Sequence, residues 1–216
     1  MQGINPITLS LPQAFRGEGC HWGRGFSPNL QKVGFFVKGT MASRLIVVTG
    51  GARSGKSIFA QSLAQAKEGR TVFIATAEAG DDEMRARIEK HRRGRPSPWH
   101  TIEEPCRLFE VVRTCEGIFD VVLIDCMALW ISNLLLRDWD ETGILRDVST
   151  LVATCKALAA QVIIVSNEAG MGIVPDNRLS RSFRDILGKT NQEIASAADE
   201  VFFLVAGIPL QIKGKP

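Results

Sequence analysis

The run from Gly50 to Ser57 places glycines, a lysine and a serine at the spacing of a phosphate-binding loop. It matches G-x-x-x-x-G-K-[ST] between an apolar stretch and a helix-like segment, the context that gives this pattern physical meaning. Glycines let the backbone curl so that its N–H groups face an anion, and the helix dipole adds attraction. Lys56 would reach the outer phosphates of a nucleoside triphosphate, and the Ser57 hydroxyl would bind Mg²⁺. We therefore expect a nucleotide site formed by Gly50, Gly51, Ala52, Arg53, Ser54, Gly55, Lys56 and Ser57.

A second oxygen ligand for Mg²⁺ is expected at Asp125. This residue ends the apolar run 119–125 as a Walker B carboxylate does. Apolar strands that end in aspartate are common, so the pattern is weak by itself. Together with the phosphate loop, it predicts that Asp125 lies opposite Ser57 and holds the metal directly or through water.

A strongly basic segment, residues 85–96, carries six Lys or Arg residues and one histidine against a single Glu. The usual interpretation of such a run is a solvated helix face. The other interpretation follows from the need to hold triphosphate, because positive surroundings favour a neutral imidazole with a ring nitrogen free as nucleophile. Attack by His91 on an α-phosphate would give a nucleotidyl-histidine, with the neighbouring arginines binding the phosphoryl oxygens. Both interpretations stay open at the level of the residues.

His91 is preferred over the two other histidines of the chain. His21 lies in an N-terminal segment whose composition differs from the rest. His100 follows Trp99 in an expected strand, where a packing role is the commoner one.

Three further places are candidates for substrate contact, each with an ordinary alternative. The turn Thr76-Ala77-Glu78 follows an expected strand, so it either touches nucleotide or only reverses the chain. Glu103 is placed to accept hydrogen bonds from a purine or ribose, although an exposed strand Glu is commoner. The glycine-rich stretch 166–175 follows another apolar strand and forms either a substrate loop or a simple connection.

Length and composition indicate one catalytic domain. The chain has 216 residues, 45% of them hydrophobic and 23% charged, as an ordinary globular protein does. Residues 1–40 contain many Gly, Pro, Ser and Asn without a sustained period. We expect this segment to be a disordered or non-native extension in front of a single nucleotide-binding domain over residues 41–216.

Charge and cysteine usage restrict the partners and the compartment. A net charge of +3 is too small to argue for nucleic acid. The five cysteines are scattered, odd in number and without C-x-x-C spacing, so a reducing cytoplasm fits better than a disulfide framework. The longest apolar runs are of strand length, far short of the ~20 residues of a membrane helix.

Apolar strands alternate with helical segments from Arg44 onward. Helical periodicity predicts helices over 58–67, 81–92 and 143–160, and the strands are expected at 45–49, 71–75, 121–125, 162–167 and 201–205. Such alternation predicts an α/β fold with a mostly parallel sheet covered by helices, and ligands beyond the carboxyl ends of its strands. With the phosphate loop, the expected class is the three-layer, RecA-like P-loop NTPase fold.

The combination of motifs resembles the bifunctional adenosylcobinamide kinase and adenosylcobinamide-phosphate guanylyltransferase family of late cobalamin synthesis. The resemblance runs in order from about Arg44 to the C-terminus and leaves residues 1–40 outside. The phosphate loop is shared by many enzymes, but its occurrence together with the histidine segment and an Asn-Glu-x-Gly-Met-Gly run is specific. It rests on the segments 48–57, 74–77, 81–84, 87–96, 99–103, 167–175 and 177–178.

The resemblance implies two reactions on one chain. A nucleoside triphosphate, ATP or GTP, phosphorylates the hydroxyl of the aminopropanol arm of adenosylcobinamide. GTP then guanylylates His91, and the GMP passes to the cobinamide phosphate. The resemblance also implies a cytoplasmic homo-oligomer, typically a trimer, and guanine nucleotide contacts by the phosphate loop and by Thr76, Ala77, Glu78, Arg92, Arg93, Gly94, Arg95, Glu103 and Asp125.

Two other functions remain open from the residues. One is a small-molecule P-loop kinase in which His91 and its arginines only grip phosphate. The other is a nucleotide-driven nucleic-acid or switch protein that uses the basic segment as its footprint. The second is disfavoured because the basic run is short and no recognition module is present.

Overall fold

The core of the sheet consists of strands built from Val, Ile and Leu that are buried on both faces. The computed structural model describes residues 43–80, 82–93 and 98–214. Its strands are β1 (Arg44–Gly50), β2 (Thr71–Ala75), β3 (His100–Glu103), β4 (Val121–Asp125), β5 (Gln161–Val165), β6 (Glu200–Val205) and β7 (Ile208–Lys213). All residues of β2 and β5 are buried, as expected for parallel strands covered on both faces by helices.

Helices connect these strands and cover the sheet. They are α1 (Lys56–Gln65), α2 (Asp82–Arg93), α3 (Leu108–Thr114), α4 (Met127–Leu135), α5 (Glu141–Ala157) and α6 (Arg178–Ala197). The Asp140 and Asn177 side chains accept hydrogen bonds from Gly143 N and Ser180 N, so they cap α5 and α6.

The seven strands form one sheet in the order β3-β2-β4-β5-β1-β6-β7. All neighbouring pairs are parallel except β6 and β7. The carboxyl ends of β1 and β4 are therefore on the same edge, with β5 between them. This arrangement confirms the predicted three-layer α/β fold with a mostly parallel sheet, and it brings the phosphate loop and Asp125 to one side.

The structure also contains elements that the periodicity did not predict. Strand β7 and helices α3, α4 and α6 were missed, while the expected strand 162–167 ends at Val165. In the described part of the chain, no helix combines the length and apolar character that crossing a membrane requires. The predicted N-terminal extension 1–40 lies outside the described residues.

Candidate functional site

The phosphate loop is shaped by backbone conformations that favour glycine. Gly50 has φ +146° and Gly55, the N-cap of α1, has φ +93°. A Cβ on Gly50 would lie 2.5 Å from the carbonyl oxygen of Leu204 in β6. Arg53 adopts the left-handed region at φ 56°. These positive φ values turn the chain between β1 and α1 and aim the N-terminus of α1 at the carboxyl edge of the sheet.

Lys56 is the buried cation of this loop, with 7% of its surface exposed. Its ammonium donates a hydrogen bond to the carbonyl oxygen of Gly51 at 2.5 Å. Burial lowers the pKa of the Lys56 ammonium from its ordinary value, and the acidic groups of Cys126 and Asp125 oppose this shift. Asp125 ends β4 at the sheet edge that carries the phosphate loop, which brings its charge near enough to act on the Lys56 pKa.

Ser57 and Asp125 fit a magnesium ion by the chemistry of their oxygen donors. Ser57 is half-buried in the first turn of α1, and Asp125 is the half-buried last residue of β4. A protein usually binds Mg²⁺ through one or two such groups, and substrate phosphates and water complete the octahedron. Among the described residues, no group of three or more His, Cys, Asp or Glu side chains forms a separate metal cluster. A metal that arrives with a nucleotide suits this pair.

Two neighbouring turns hold the phosphate loop by backbone hydrogen bonds. Gly207 N, in the turn between β6 and β7, donates to the carbonyl oxygen of Ser54 at 3.1 Å. Glu168 N, just after β5, donates to the carbonyl oxygen of Gly50 at 2.9 Å. The loop is thereby fixed from both sides of β1.

Thr76 joins the carboxyl ends of β2 and β4. Its hydroxyl donates to the carbonyl oxygen of Cys126 at 2.7 Å and accepts from Cys126 N at 2.8 Å. Asn133 of α4 donates to the carbonyl oxygen of Thr76 at 2.8 Å. Because Thr76 is fully buried, its side chain aligns the strand that carries Asp125. Its expected nucleotide contact stays a prediction.

Glu78 lies beyond the half-buried Ala77 on the same turn and is held by an arginine. Arg137, just after α4, donates from Nη2 to both carboxylate oxygens of Glu78, at 2.8 and 2.7 Å. Such a charge-assisted contact fixes the turn at the edge of the site. Sequence reasoning missed Asn133 and Arg137, because nothing in the local pattern of α4 indicates partners more than fifty residues away.

The last turn of α2 lies at the carboxyl end of β3. Arg92 Nε is 3.7 Å from Glu103 Oε1 in an ion pair whose two side chains are about half exposed. His91 and Arg93 belong to the same helical turn. The backbone therefore brings the predicted nucleophile to the edge that carries the phosphate loop. Gly94 and Arg95 lie outside the described residues.

His100 is at the opposite edge. It is the first residue of β3, and its ring stacks on Phe119 with centroids 5.6 Å apart and an interplanar angle of 24°. The amino end of a parallel strand is remote from the carboxyl edge where ligands bind. The ring contact agrees with the packing role expected for His100, although the residue is exposed rather than partly buried.

The fold and the phosphate loop together define a P-loop nucleotide-binding protein. The CobU family model, described as cobinamide kinase / cobinamide phosphate guanyltransferase, matches residues 46–212. The chain belongs to this family.

Curated relatives match almost along their whole length. The bifunctional adenosylcobalamin biosynthesis protein CobU of Escherichia coli (strain K12) is 44% identical over 181 residues, which cover 78% of this chain and 99% of that protein. The same protein of Salmonella typhimurium is 42% identical with the same coverage. The protein CobP of Pseudomonas aeruginosa is 44% identical over 171 residues, 79% of this chain and 98% of that protein.

The crystal structure of a KaiC-like protein from Pyrococcus horikoshii OT3 superposes with a TM-score of 0.45 at 15% sequence identity. The superposition covers 81% of this chain and 80% of that chain.

Proposed function

We propose that this protein phosphorylates adenosylcobinamide at its aminopropanol hydroxyl and then transfers GMP from GTP to the cobinamide phosphate. The observation that carries this proposal is membership of the cobinamide kinase and guanyltransferase family over residues 46–212, together with a complete phosphate loop at the sheet edge where Asp125 ends β4. The product of the two steps is adenosylcobinamide-GDP.

The kinase step depends on charge neutralisation and positioning. The backbone N–H groups of the phosphate loop and the Lys56 ammonium would bind the β- and γ-phosphates. Ser57 and Asp125 would hold Mg²⁺, which supplies charge neutralisation on the phosphates when bound. The oxygen of the substrate hydroxyl forms the new bond to the γ-phosphorus, the bond to the diphosphate breaks, and the hydroxyl proton is released to solvent water.

The transferase step would use His91 as nucleophile. A neutral imidazole nitrogen attacks the α-phosphorus of GTP, the bond to the bridging oxygen breaks, and pyrophosphate leaves. An oxygen of the cobinamide phosphate then attacks the same phosphorus and releases the imidazole. The proximity of the α2 end to Glu103 and the sheet edge supports this role. Arg92, Arg93 and Arg95 would bind the phosphoryl oxygens, and Gly94 would belong to the same nucleotide contacts.

The remaining nucleotide contacts are proposed at the same edge. Thr76, Ala77 and Glu78 follow β2, Glu103 ends β3, and all lie on the side of the sheet that carries the loop. A single catalytic domain over 41–216, assembled as a cytoplasmic homotrimer, completes the proposal. The free thiols of the described cysteines, Cys106, Cys115, Cys126 and Cys155, support a reducing compartment.

The experiment uses GTP labelled at the α-phosphate, first without acceptor and then with cobinamide phosphate. We expect label on the protein that is acid-labile and alkali-stable, as a phosphoramidate is, and its transfer to the corrinoid when acceptor is added. Phosphorylation of adenosylcobinamide is followed separately with γ-labelled nucleotide. A protein that phosphorylates but never becomes labelled would be the simple kinase.

His91→Ala and His100→Ala are the matched variants. His91→Ala should abolish protein labelling and GMP transfer and leave phosphorylation measurable, whereas His100→Ala should leave all three near wild type. Equal GMP transfer by both variants would remove His91 from the mechanism.

A further inference from the structure

The chain that leaves β5 is anchored at both ends. At its start, Glu168 N donates to the carbonyl oxygen of Gly50. Asn191 of α6 donates from Nδ2 to the carbonyl oxygen of the preceding residue, Asn167, at 2.9 Å. Downstream, Arg181 donates from Nη1 to the carbonyl oxygens of Pro175 and Asp176, at 3.0 and 2.5 Å. The residues between these anchors are therefore held in a defined position next to the phosphate loop.

Between the anchors this segment displays apolar side chains to solvent. Ile173 is 97% exposed, Met171 81% and Val174 61%. Single exposed apolar residues are ordinary on a protein surface. Three within four residues, on a segment hydrogen-bonded at both ends, indicate a surface that binds an apolar partner. We name residues 170–174 the acceptor loop.

An apolar cavity lies where the acceptor loop leads into α6. It measures about 200 Å³ and opens between the end of α4 and the first turns of α6. Leu136 and Leu179 on its rim are 68% and 50% exposed. The cavity is lined by Ser132, Leu135, Leu136, Leu179, Ser180 and Phe183.

The sheet order places the start of the acceptor loop at the same edge as the phosphate loop and Asp125. It follows β5, and β5 lies between β1, which carries the phosphate loop, and β4, which ends in Asp125. The α4 end of the cavity is tied to the same edge, because Asn133 and Arg137 bind Thr76 and Glu78. A ligand on this surface would thus reach toward the transferred phosphate.

We propose that the acceptor loop and the α4–α6 cavity bind the corrin ring of the acceptor substrate. The inference rests on the proposed function and assigns the position of its corrinoid. A corrin ring is a broad, flat ligand with apolar faces and a periphery of amide side chains. Its face would cover Met171, Ile173 and Val174, and the aminopropanol arm would extend to the phosphate loop. An amide side chain would reach the two serines of the cavity, Ser132 and Ser180.

The test measures binding of adenosylcobinamide to the full chain by titration calorimetry. The variant carries Met171→Ser and Ile173→Ser, which remove exposed apolar area and touch no core residue. The control carries Leu210→Ser and Ile212→Ser on β7, where the two side chains are 51% and 64% exposed. We expect the dissociation constant to rise at least about tenfold in the acceptor-loop variant and to change little in the control.

Protein labelling by α-labelled GTP without corrinoid separates this inference from the function itself. Both variants should be labelled as the wild type is, because the surface serves only the acceptor. A wild type that neither phosphorylates nor labels would refute the proposed function, whatever the surface does. The inference would be overturned if the wild type is active and the acceptor-loop variant binds adenosylcobinamide with a dissociation constant within twofold of the wild-type value. A changed sedimentation coefficient with unchanged affinity would also overturn it and would assign the surface to contact between copies of the chain.

Discussion

The ammonium nitrogen of Lys56 lies 2.5 Å from the carbonyl oxygen of Gly51, five residues back along the phosphate loop. The side chain is buried, and burial lowers the pKa of its ammonium although Cys126 and Asp125 counteract this. The loop thus holds a poorly hydrated ammonium group in place through a hydrogen bond to a backbone carbonyl. A triphosphate offers that cation a full negative charge, so binding would satisfy it far better than the carbonyl does.

Replacement of Lys56 by Met should separate binding from stability. A group whose folded pKa lies below its unfolded value costs stability at all pH below the folded pKa, and this cost disappears as the pH rises toward 10.5. Lys56→Met removes this cost together with the hydrogen bond to the Gly51 carbonyl, so the thermal midpoint without nucleotide should stay close to that of the wild type. Nucleotide at about 100 times its Kd should raise the unfolding free energy of the wild type by about 2.7 kcal/mol, and this gain should be lost in the variant. Differential scanning fluorimetry with and without ATP measures both.

Gly50→Ala should destabilise the protein, whereas Gly51→Ala should not. A Cβ on Gly50 would lie 2.5 Å from Leu204 O and 3.1 Å from Leu204 N at a positive φ, but a Cβ on Gly51 meets nothing within 4 Å. We expect a loss of about 2 kcal/mol or more for Gly50→Ala and at most about 0.5 kcal/mol for Gly51→Ala. Urea unfolding measures both. Similar losses in the two variants would contradict the close approach of β6.

Strong local patterns predicted the centre of the fold. The phosphate loop, the buried strands and the long amphipathic helix α5 each carry their signal within a short window of sequence. Helix α4 gave none, because most of its nine residues are apolar and buried, and a short apolar run does not distinguish helix from strand. Strand β7 is exposed along its whole length, so no buried run marked it.

The hydrogen bonds that support the site could not be predicted from the sequence for a different reason. Thr76 and Cys126 are fifty residues apart, and Arg137 lies fifty-nine residues from Glu78. Such pairs exist only because β2 and β4 are neighbours and α4 crosses the ends of both strands. Their energies depend on a topology that no local period encodes. The residues proposed for the site could be named from the sequence, but the contacts that orient them could not.

Thr76→Val tests whether this hydroxyl supports the strand or the nucleotide. Valine keeps the shape but leaves the buried N–H of Cys126 without its partner, while the Cys126 carbonyl keeps the hydrogen bond from Trp130 N. The unpaired N–H should cost about 2 kcal/mol. Thr76→Ser keeps the hydroxyl and removes one methyl group, a loss of about 1 kcal/mol. Urea unfolding ranks the two variants. Unchanged stability in Thr76→Val together with weaker GTP binding would instead make the hydroxyl a nucleotide contact.

Asp199 should contribute to the loss of stability in acid. Its carboxylate accepts from Leu45 N at 2.7 Å and from the Lys156 ammonium at 3.1 Å. The Leu45 hydrogen bond, assisted by Lys156, lowers the pKa of Asp199 below its ordinary 3.8. The unfolded chain therefore binds this proton first, and the contribution is lost as the pH falls from about 4 through the lowered folded pKa. Asp199→Asn should consequently lose less unfolding free energy between pH 5 and pH 3 than the wild type loses.

Asp147 provides the control of opposite sign. Burial raises the pKa of this carboxyl above 3.8, although Arg146 opposes the shift. Its contribution to the unfolding free energy is fully present below pH 3.8 and is lost as the pH rises through the raised pKa. It therefore partly offsets the unfolding free energy that the wild type loses in acid. Asp147→Asn should therefore lose more unfolding free energy between pH 5 and pH 3 than the wild type. Urea unfolding at pH 5 and pH 3 gives the change in unfolding free energy for the wild type and for each variant. If both variants differ from the wild type in the same direction, these two carboxylates do not govern the loss of stability in acid.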